Sequence, residues 1–385
     1  MIYKRFLCCV SVLFLSSCMS TTNTAPAPAQ LRDLLKQDLV LLPDIKFEHL
    51  PSELKENEIL FIGEYKHRSE PLIQAAARLA VDLASYRPVV YALESCYGAH
   101  PSMEAASLGN KKINPILYPE TIRAFNSNQT ADKKILLTAI DIEHRISYKD
   151  KKEVVLFLQE LANRSTSDVA RRTIQEDIPE LTTQDTFDKV SRYLKKLTAV
   201  FLRHLDTFSP EDQDEILFSM DLLQASNRFY QYTAAGGLKE ALMRPWDIRT
   251  KYFIKTIEWA YQKAQKRKAI LMCRVGAPHA SLTNEYFEAR YFAKKYSPTK
   301  GKVASIGLIP LYYDAHETNG TAKEKHNDID SIVKALMKDD KYSYLPLSNL
   351  QSKTNNSFKW SKYFSNNGPQ YDGLLFVRIE ENSKW

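Results

Sequence analysis

The chain has 385 residues, 44% of them hydrophobic, which suffices for the core of one large domain or of a domain carrying an insertion. Its 53 Lys and Arg against 46 Asp and Glu give a net charge of +7, but the signs alternate along most of the sequence, and no basic stripe marks a nucleic-acid binder. With 11 glycines and no Gly-x-x-x-x-Gly-Lys, Gly-x-Gly-x-x-Gly or Gly-x-Ser-x-Gly pattern, the phosphate-loop, dinucleotide and serine-elbow classes are excluded.

At the N-terminus, Lys4 and Arg5 precede an apolar stretch over 6–15 and the box Leu15-Ser16-Ser17-Cys18, the order of a secretory signal. The stretch is shorter than the ~20 apolar residues of a spanning helix. The box resembles the lipobox of bacterial lipoproteins, which implies cleavage after residue 17 and acylation of the Cys18 thiol. Met19 stands where an Asp would signal inner-membrane retention, so the expected address is the outer membrane, facing the periplasm. Acyl chains bury methylenes at ~0.8 kcal/mol each and anchor without a membrane helix. Residues 18–50 then read as tether and linker, with Pro26 and Pro28 among Ala and Thr.

Apolar runs at 59–62, 89–93 and 135–140 alternate with a helical stripe over 71–85 (Leu72, Ala75, Ala76, Leu79, Ala80, Leu83) and short helices over 100–127. Such alternation predicts a parallel sheet flanked by helices. From 150 to 240 the strand-like runs stop and helical patterns take over, one of them starting at Ser209-Pro210-Glu211-Asp212, where Ser caps and Pro fits the first turn. The strands resume at 269–275, after a helix over 248–265, and again at 303–311 and 373–377; one helix is expected over 329–337 within otherwise loop-like residues 314–367. The expectation is therefore an α/β domain with a central, mainly parallel sheet, formed by 51–149 and 241–385, with 150–240 as a helical insertion over the carboxyl edge.

Open α/β sheets bind ligands beyond the carboxyl ends of their strands. Glu64 and His67 follow the first run, Glu94 the second, Asp141 and His144 the third, and His279 the run ending in Val275-Gly276. Arg249 opens the 248–265 helix and suits an oxyanion or a carboxylate. Glu and His at such an edge suit two chemistries, a general base that activates water and a divalent metal held by Glu64, His67, Glu94 and His279. His100 lies near enough to Glu94 in sequence to line the same pocket, whereas His49, His204, His316 and His326 have no convergent context. Cys8 and Cys9 leave with the signal, so Cys96 and Cys273 remain, either as a disulfide between strand ends or as two buried thiols.

Gly63-Glu64-Tyr65-Lys66-His67, Ala92-Leu93-Glu94-Ser95, Arg249, Gly276-Ala277-Pro278-His279 and Tyr371-Asp372-Gly373-Leu374-Leu375-Phe376 follow one another here. Their order resembles the superfamily of erythromycin esterase-like hydrolases, ChaN-like haem-binding lipoproteins and Tiki/TraB metalloproteases. Arg68 stands where the esterases carry a glycine. The esterase comparison implies a cell-envelope hydrolase acting on a small molecule. In it His67 activates water, Glu64 and Glu94 orient it or stabilise charge, and Arg249 with His279 binds the oxyanion. The ChaN comparison implies haem binding without turnover, with Tyr65, Tyr97 or His67 as axial ligand, and the Tiki comparison a bound metal.

Overall fold

A computed structural model describes residues 28–380 apart from 47, 49, 68, 111, 148–150, 183, 235–238, 285–286, 314–328, 354–361 and 366–367. The signal segment, Cys18, His49, Arg68, His316 and His326 lie outside the described residues. The chain begins with α1 (Pro28–Asp38), β1 (Val40–Leu42), α2 (Glu53–Glu56), β2 (Ile59–Glu64), α3 (Glu70–Ala84) and β3 (Val89–Cys96). It continues with α4 (His100–Ser107), α5 (Glu120–Ser127) and β4 (Leu136–Asp141), then the insertion helices α6 (Lys152–Ala162), α7 (Asp168–Asp177), α8 (Phe187–Arg203) and α9 (Pro210–Ala234). The helix α10 (Lys239–Lys266) leads back to β5 (Ile270–Gly276), α11 (Glu288–Lys294), β6 (Val303–Tyr313), α12 (Ile329–Met337), β7 (Tyr342–Pro346), α13 (Leu347–Lys353), the small pair β8 (Phe364–Ser365) and β9 (Gly368–Pro369), and β10 (Gly373–Glu380).

The main sheet has the order β1-β7-β10-β6-β2-β5-β3-β4. Neighbours from β10 to β4 are all parallel, while β7 runs antiparallel to both β10 and β1. β2, β4 and β5 are buried along their whole length, which is why they read as continuous apolar runs rather than alternating ones: both faces of a parallel sheet are covered. On one face Leu60, Ile62 and Tyr91 pack under the Leu72, Ala76 and Leu79 stripe of α3. On the other, Phe61 and Cys273 meet Phe253 and Ile257 of α10, Phe292 of α11 and Val333 of α12. A third core joins Leu158, Leu194, Phe201 and Leu223 of the insertion to Tyr97, Ile142 and Ile146, residues just past the carboxyl ends of β3 and β4. The insertion is thus seated on that edge of the sheet.

Several expectations are corrected. The segment expected as linker up to residue 50 already contains α1 and β1: Leu31 and Leu35, one turn apart, are both buried in the core with α10 and α12, and β1 pairs with β7. Within 314–367, β7 is a full strand that the polar Tyr342-Ser343-Tyr344 and the closing Pro346 had disguised as loop. α10 starts at Lys239 rather than at 248 and continues through Pro245, forgoing one backbone hydrogen bond where a proline normally ends a helix. Of the two alternatives left open for Cys96 and Cys273, the structure shows free thiols, Cys273 buried and Cys96 half-buried. The β3–β5 register sets Cys273 opposite Ala92, four residues short of Cys96 and so ~13 Å along the strand, beyond the ~7 Å that a disulfide spans.

Candidate functional site

Four adjacent strands, β2, β5, β3 and β4, release their chains side by side at the carboxyl edge. β2 ends on Glu64, β5 on Gly276 and β4 on Asp141. Glu94 lies two residues before the end of β3, inside the register shift between Leu93 and Cys96.

Arg249, on α10 and 9% exposed, ties these ends together. Its Nε and Nη2 donate to the two oxygens of Asp141 at 3.2 and 2.7 Å, and Nη2 also donates to Glu94 Oε1 at 2.7 Å. The other oxygen of Glu94 accepts the Gly276 N–H at 2.6 Å. Asp141 further contacts His144 Nε2 at 2.6 Å, and the Nδ1 of His144 hydrogen-bonds the hydroxyl of Tyr230 on α9. Burial by itself pushes the Asp141 carboxyl up, but the hydrogen bond from His144 and the charge of Arg249 outweigh it and hold the group well below the usual carboxylate range.

His279 sits in the single turn after β5, between the rings of Phe253 and Phe287 at 5.0 and 5.3 Å. Its Nδ1 donates to Glu288 Oε2 at 2.7 Å, and Glu288 has no solvent exposure. This fixes the proton on Nδ1 and turns Nε2 inward, 3.3 Å from Arg249 Nη1 and 3.7 Å from Glu94 Oε1. Burial lowers the His279 pKa, yet the Glu288 hydrogen bond and charge prevail and raise it above the ordinary imidazole value.

His67 is the exposed member, with over half its side chain in solvent. Its Nδ1 lies 3.7 Å from Glu64 Oε2, and that partnership, opposed by partial burial, raises its pKa. Its ring lies against Gly276: a Cβ built there would come within 2.6 Å of His67 Nε2 and 3.4 Å of Glu94 Oε2. Glu64 is 5% exposed and is faced from β5 by Arg274, whose Nε is 3.3 Å from Oε1.

The structure therefore gathers Glu64, His67, Glu94, Asp141, His144, Arg249 and His279 on one edge. It does not bring Tyr97 or His100 there. Tyr97 is buried among His100, Phe157 and Phe218 of the insertion core, and His100 pairs with Glu215 of α9 at 2.8 Å. Tyr65 packs on Tyr363 and Tyr371. Of the three axial haem ligands expected, His67 alone presents an open ring. The donor set does not fit a divalent metal either. Among the described residues no three His, Cys, Asp or Glu groups converge on a point, and the guanidinium of Arg249 already occupies the position between Glu94, Asp141 and His279 where a cation would stand.

Sequence reasoning missed Arg274, Glu288 and Tyr230. Arg274 had a signal, since a lone cation inside the otherwise apolar run Ile270-Leu271-Met272-Cys273-Arg274-Val275 requires a buried partner. Glu288 and Tyr230 lie in helical segments with nothing in their spacing to mark them.

Neither a family model nor a curated protein sequence matches the chain. Solved structures do. A Bacillus cereus protein superposes with a TM-score of 0.64 at 12% identity, covering 92% of this chain and 98% of its own. A succinoglycan biosynthesis protein gives 0.57 at 12% identity with the same coverage. A mutant of the erythromycin esterase EreC in its open conformation gives 0.53 at 10% identity, covering 89% of this chain and 95% of that one. At these identities the shared property is the fold, and it spans both the sheet and the insertion.

Proposed function

Taking the erythromycin esterase-like fold as premise, we propose that the protein is a metal-independent hydrolase that cleaves an ester of a small molecule by direct attack of water. The observation that carries this reading is the meeting, at the bare face of Gly276, of an exposed imidazole backed by a carboxylate with the clamped carboxylate of Glu94. His67 Nε2 takes a proton from water as the water oxygen attacks the carbonyl carbon. Glu64 holds the His67 ring and stabilises the imidazolium that forms. Arg249 Nη1 and His279 Nε2 are close enough for one substrate oxygen to touch both, so the developing oxyanion meets the guanidinium and, when His279 is protonated, a second N–H donor. Glu94 and Asp141 hold Arg249 in place.

The test is hydrolysis of a panel of alkyl and aryl carboxylate esters by the purified protein, with and without a chelator. The expected result is turnover insensitive to chelation and lowered ~10²–10⁴-fold in His67→Ala. Absence of turnover on every ester, or its loss on chelation, overturns the reading.

We also propose that Cys18 carries a lipid anchor and places this reaction at the cell envelope, a reading supported by the Leu15-Ser16-Ser17-Cys18 box. Fatty-acid labelling and membrane fractionation of the full chain and of Cys18→Ser test it; a soluble, unlabelled wild type overturns it.

A further inference from the structure

The hydrolysis proposed above leaves its proton on His67, the base that faces the attacking water, and the departing alcohol needs a proton of its own. One hydroxyl is wired into the cluster. Tyr230, half-buried near the end of α9, hydrogen-bonds to His144 Nδ1, while His144 Nε2 contacts Asp141 Oδ2 at 2.6 Å. Asp141 is 1% exposed and forked onto Arg249, whereas about a quarter of the His144 side chain reaches solvent. The series Tyr230, His144, Asp141, Arg249 is therefore continuous from a partly open phenol to the centre of the site.

The phenol is also held at a fixed place. Ser226 Oγ, one turn before Tyr230 on α9, accepts the backbone N–H of Glu143 at 2.9 Å. Two contacts thus pin this part of α9 to the segment leaving β4. The Tyr230 and His144 rings meet edge to face at 6.0 Å.

We propose that Tyr230 is the proton donor to the leaving alkoxide, with His144 and Asp141 as positioning residues; this rests on the ester hydrolysis read from the same site. When the tetrahedral adduct collapses, the bond between the carbonyl carbon and the leaving oxygen breaks. Its electron pair stays on that oxygen, which takes the phenolic proton. The proton that His67 took from water is released to solvent, and one solvent proton returns to the phenolate through His144, so that water is added across the ester and the side chains are restored. An alkoxide is a far stronger base than a phenolate, whose acid titrates near ~10, so the transfer runs downhill.

A donor to the leaving group matters most when that group is a poor one. For the same acyl group, kcat/KM is measured on an ethyl ester and on a 4-nitrophenyl ester with wild type, Tyr230→Phe and His144→Gln, each checked for its melting temperature. The expected result is an ethyl-to-nitrophenyl ratio that falls about 10²-fold in Tyr230→Phe, within the range of a lost general acid, and falls in the same direction in His144→Gln. A fall of equal size on both esters, or no change, means that Tyr230 only packs, and overturns the proposal. A wild type inert on both esters instead overturns the hydrolase reading, and this proposal with it.

Discussion

Glu288 accepts the Nδ1 proton of His279 at 2.7 Å from a position with no solvent exposure. The carboxylate both orients the ring through Nδ1–H and supplies the charge that raises the imidazole pKa against the lowering effect of burial. Glu288→Gln preserves an acceptor for Nδ1–H but removes the charge. We expect kcat to fall ~10–100-fold, the rate equivalent of losing a charged hydrogen-bond partner worth ~1.5–3 kcal/mol, with KM little changed. If His279 acts as the cation, its pKa limits activity on the alkaline side, and that limb should move to lower pH in Glu288→Gln. An unmoved limb in the pH profile of kcat would mean that His279 has another role.

His67 must be neutral to accept a proton, so activity should rise with pH through a pKa above the ordinary ~6.5, raised chiefly by Glu64. Removing that charge in Glu64→Gln lowers the imidazole pKa and moves the acid limb to lower pH. The stability linkage has the matching sign. The Glu64–His67 pairing contributes fully below the unfolded imidazole pKa and is lost as pH rises through the folded value. Rates and melting temperatures measured from pH 5 to 9 on both proteins decide this.

Arg249→Leu removes the guanidinium that lies between the carboxylates of Asp141 and Glu94, and should destabilise the protein by about 3–5 kcal/mol. Arg249→Lys keeps the charge without the fork and should lose less. In wild type the depressed Asp141 contributes stability above the unfolded carboxyl pKa of ~3.9, and this is lost as pH falls through the lower folded value. Lowering the pH from about 5 to about 2.5, across the window below the unfolded carboxyl pKa of ~3.9, should therefore cost wild type more stability in thermal unfolding than it costs Arg249→Leu.

Gly276→Ala should separate activity from stability. The new Cβ meets the His67 ring at 2.6 Å, and that ring, largely in solvent, is free to swing aside. The backbone at Gly276 (φ −58°, ψ 146°) suits any residue. The expected outcome is a loss of at least about tenfold in kcat/KM with the melting temperature within a few degrees of wild type. A large drop in melting temperature would instead show that the glycine serves packing.

The parts of the fold and site that were legible in the sequence share one physical origin. A strand buried on both faces is a continuous apolar run, and the charge that ends it marks the sheet edge, which is how Glu64, Asp141 and His279 stood out. β7 gave no such run because its tyrosines and serine pack under cover without being apolar throughout. α1 was hidden by the Ala and Pro residues before it, although Leu31 and Leu35 carried its helical spacing. Glu288 escaped because a buried glutamate and a solvated one are the same letter; only the fold shows that His279 lies 2.7 Å away.

α10 extends for 28 residues, about 42 Å at 1.5 Å per residue. It packs against α9 and also lies across β3, β4 and β5, and it carries Arg249 on the N-terminal side of its contacts with Asp221 of α9 and Ile140 of β4. The helical layer and the sheet are consequently not interchangeable modules. A chimaera that exchanges residues 150–240 for a foreign helical cover would hand α10 a new bearing surface, and a tilt of a few degrees about its sheet end would draw the guanidinium away from Glu94 and Asp141. Descendants of such a chain are free to vary the cover only in ways that keep this one lever still.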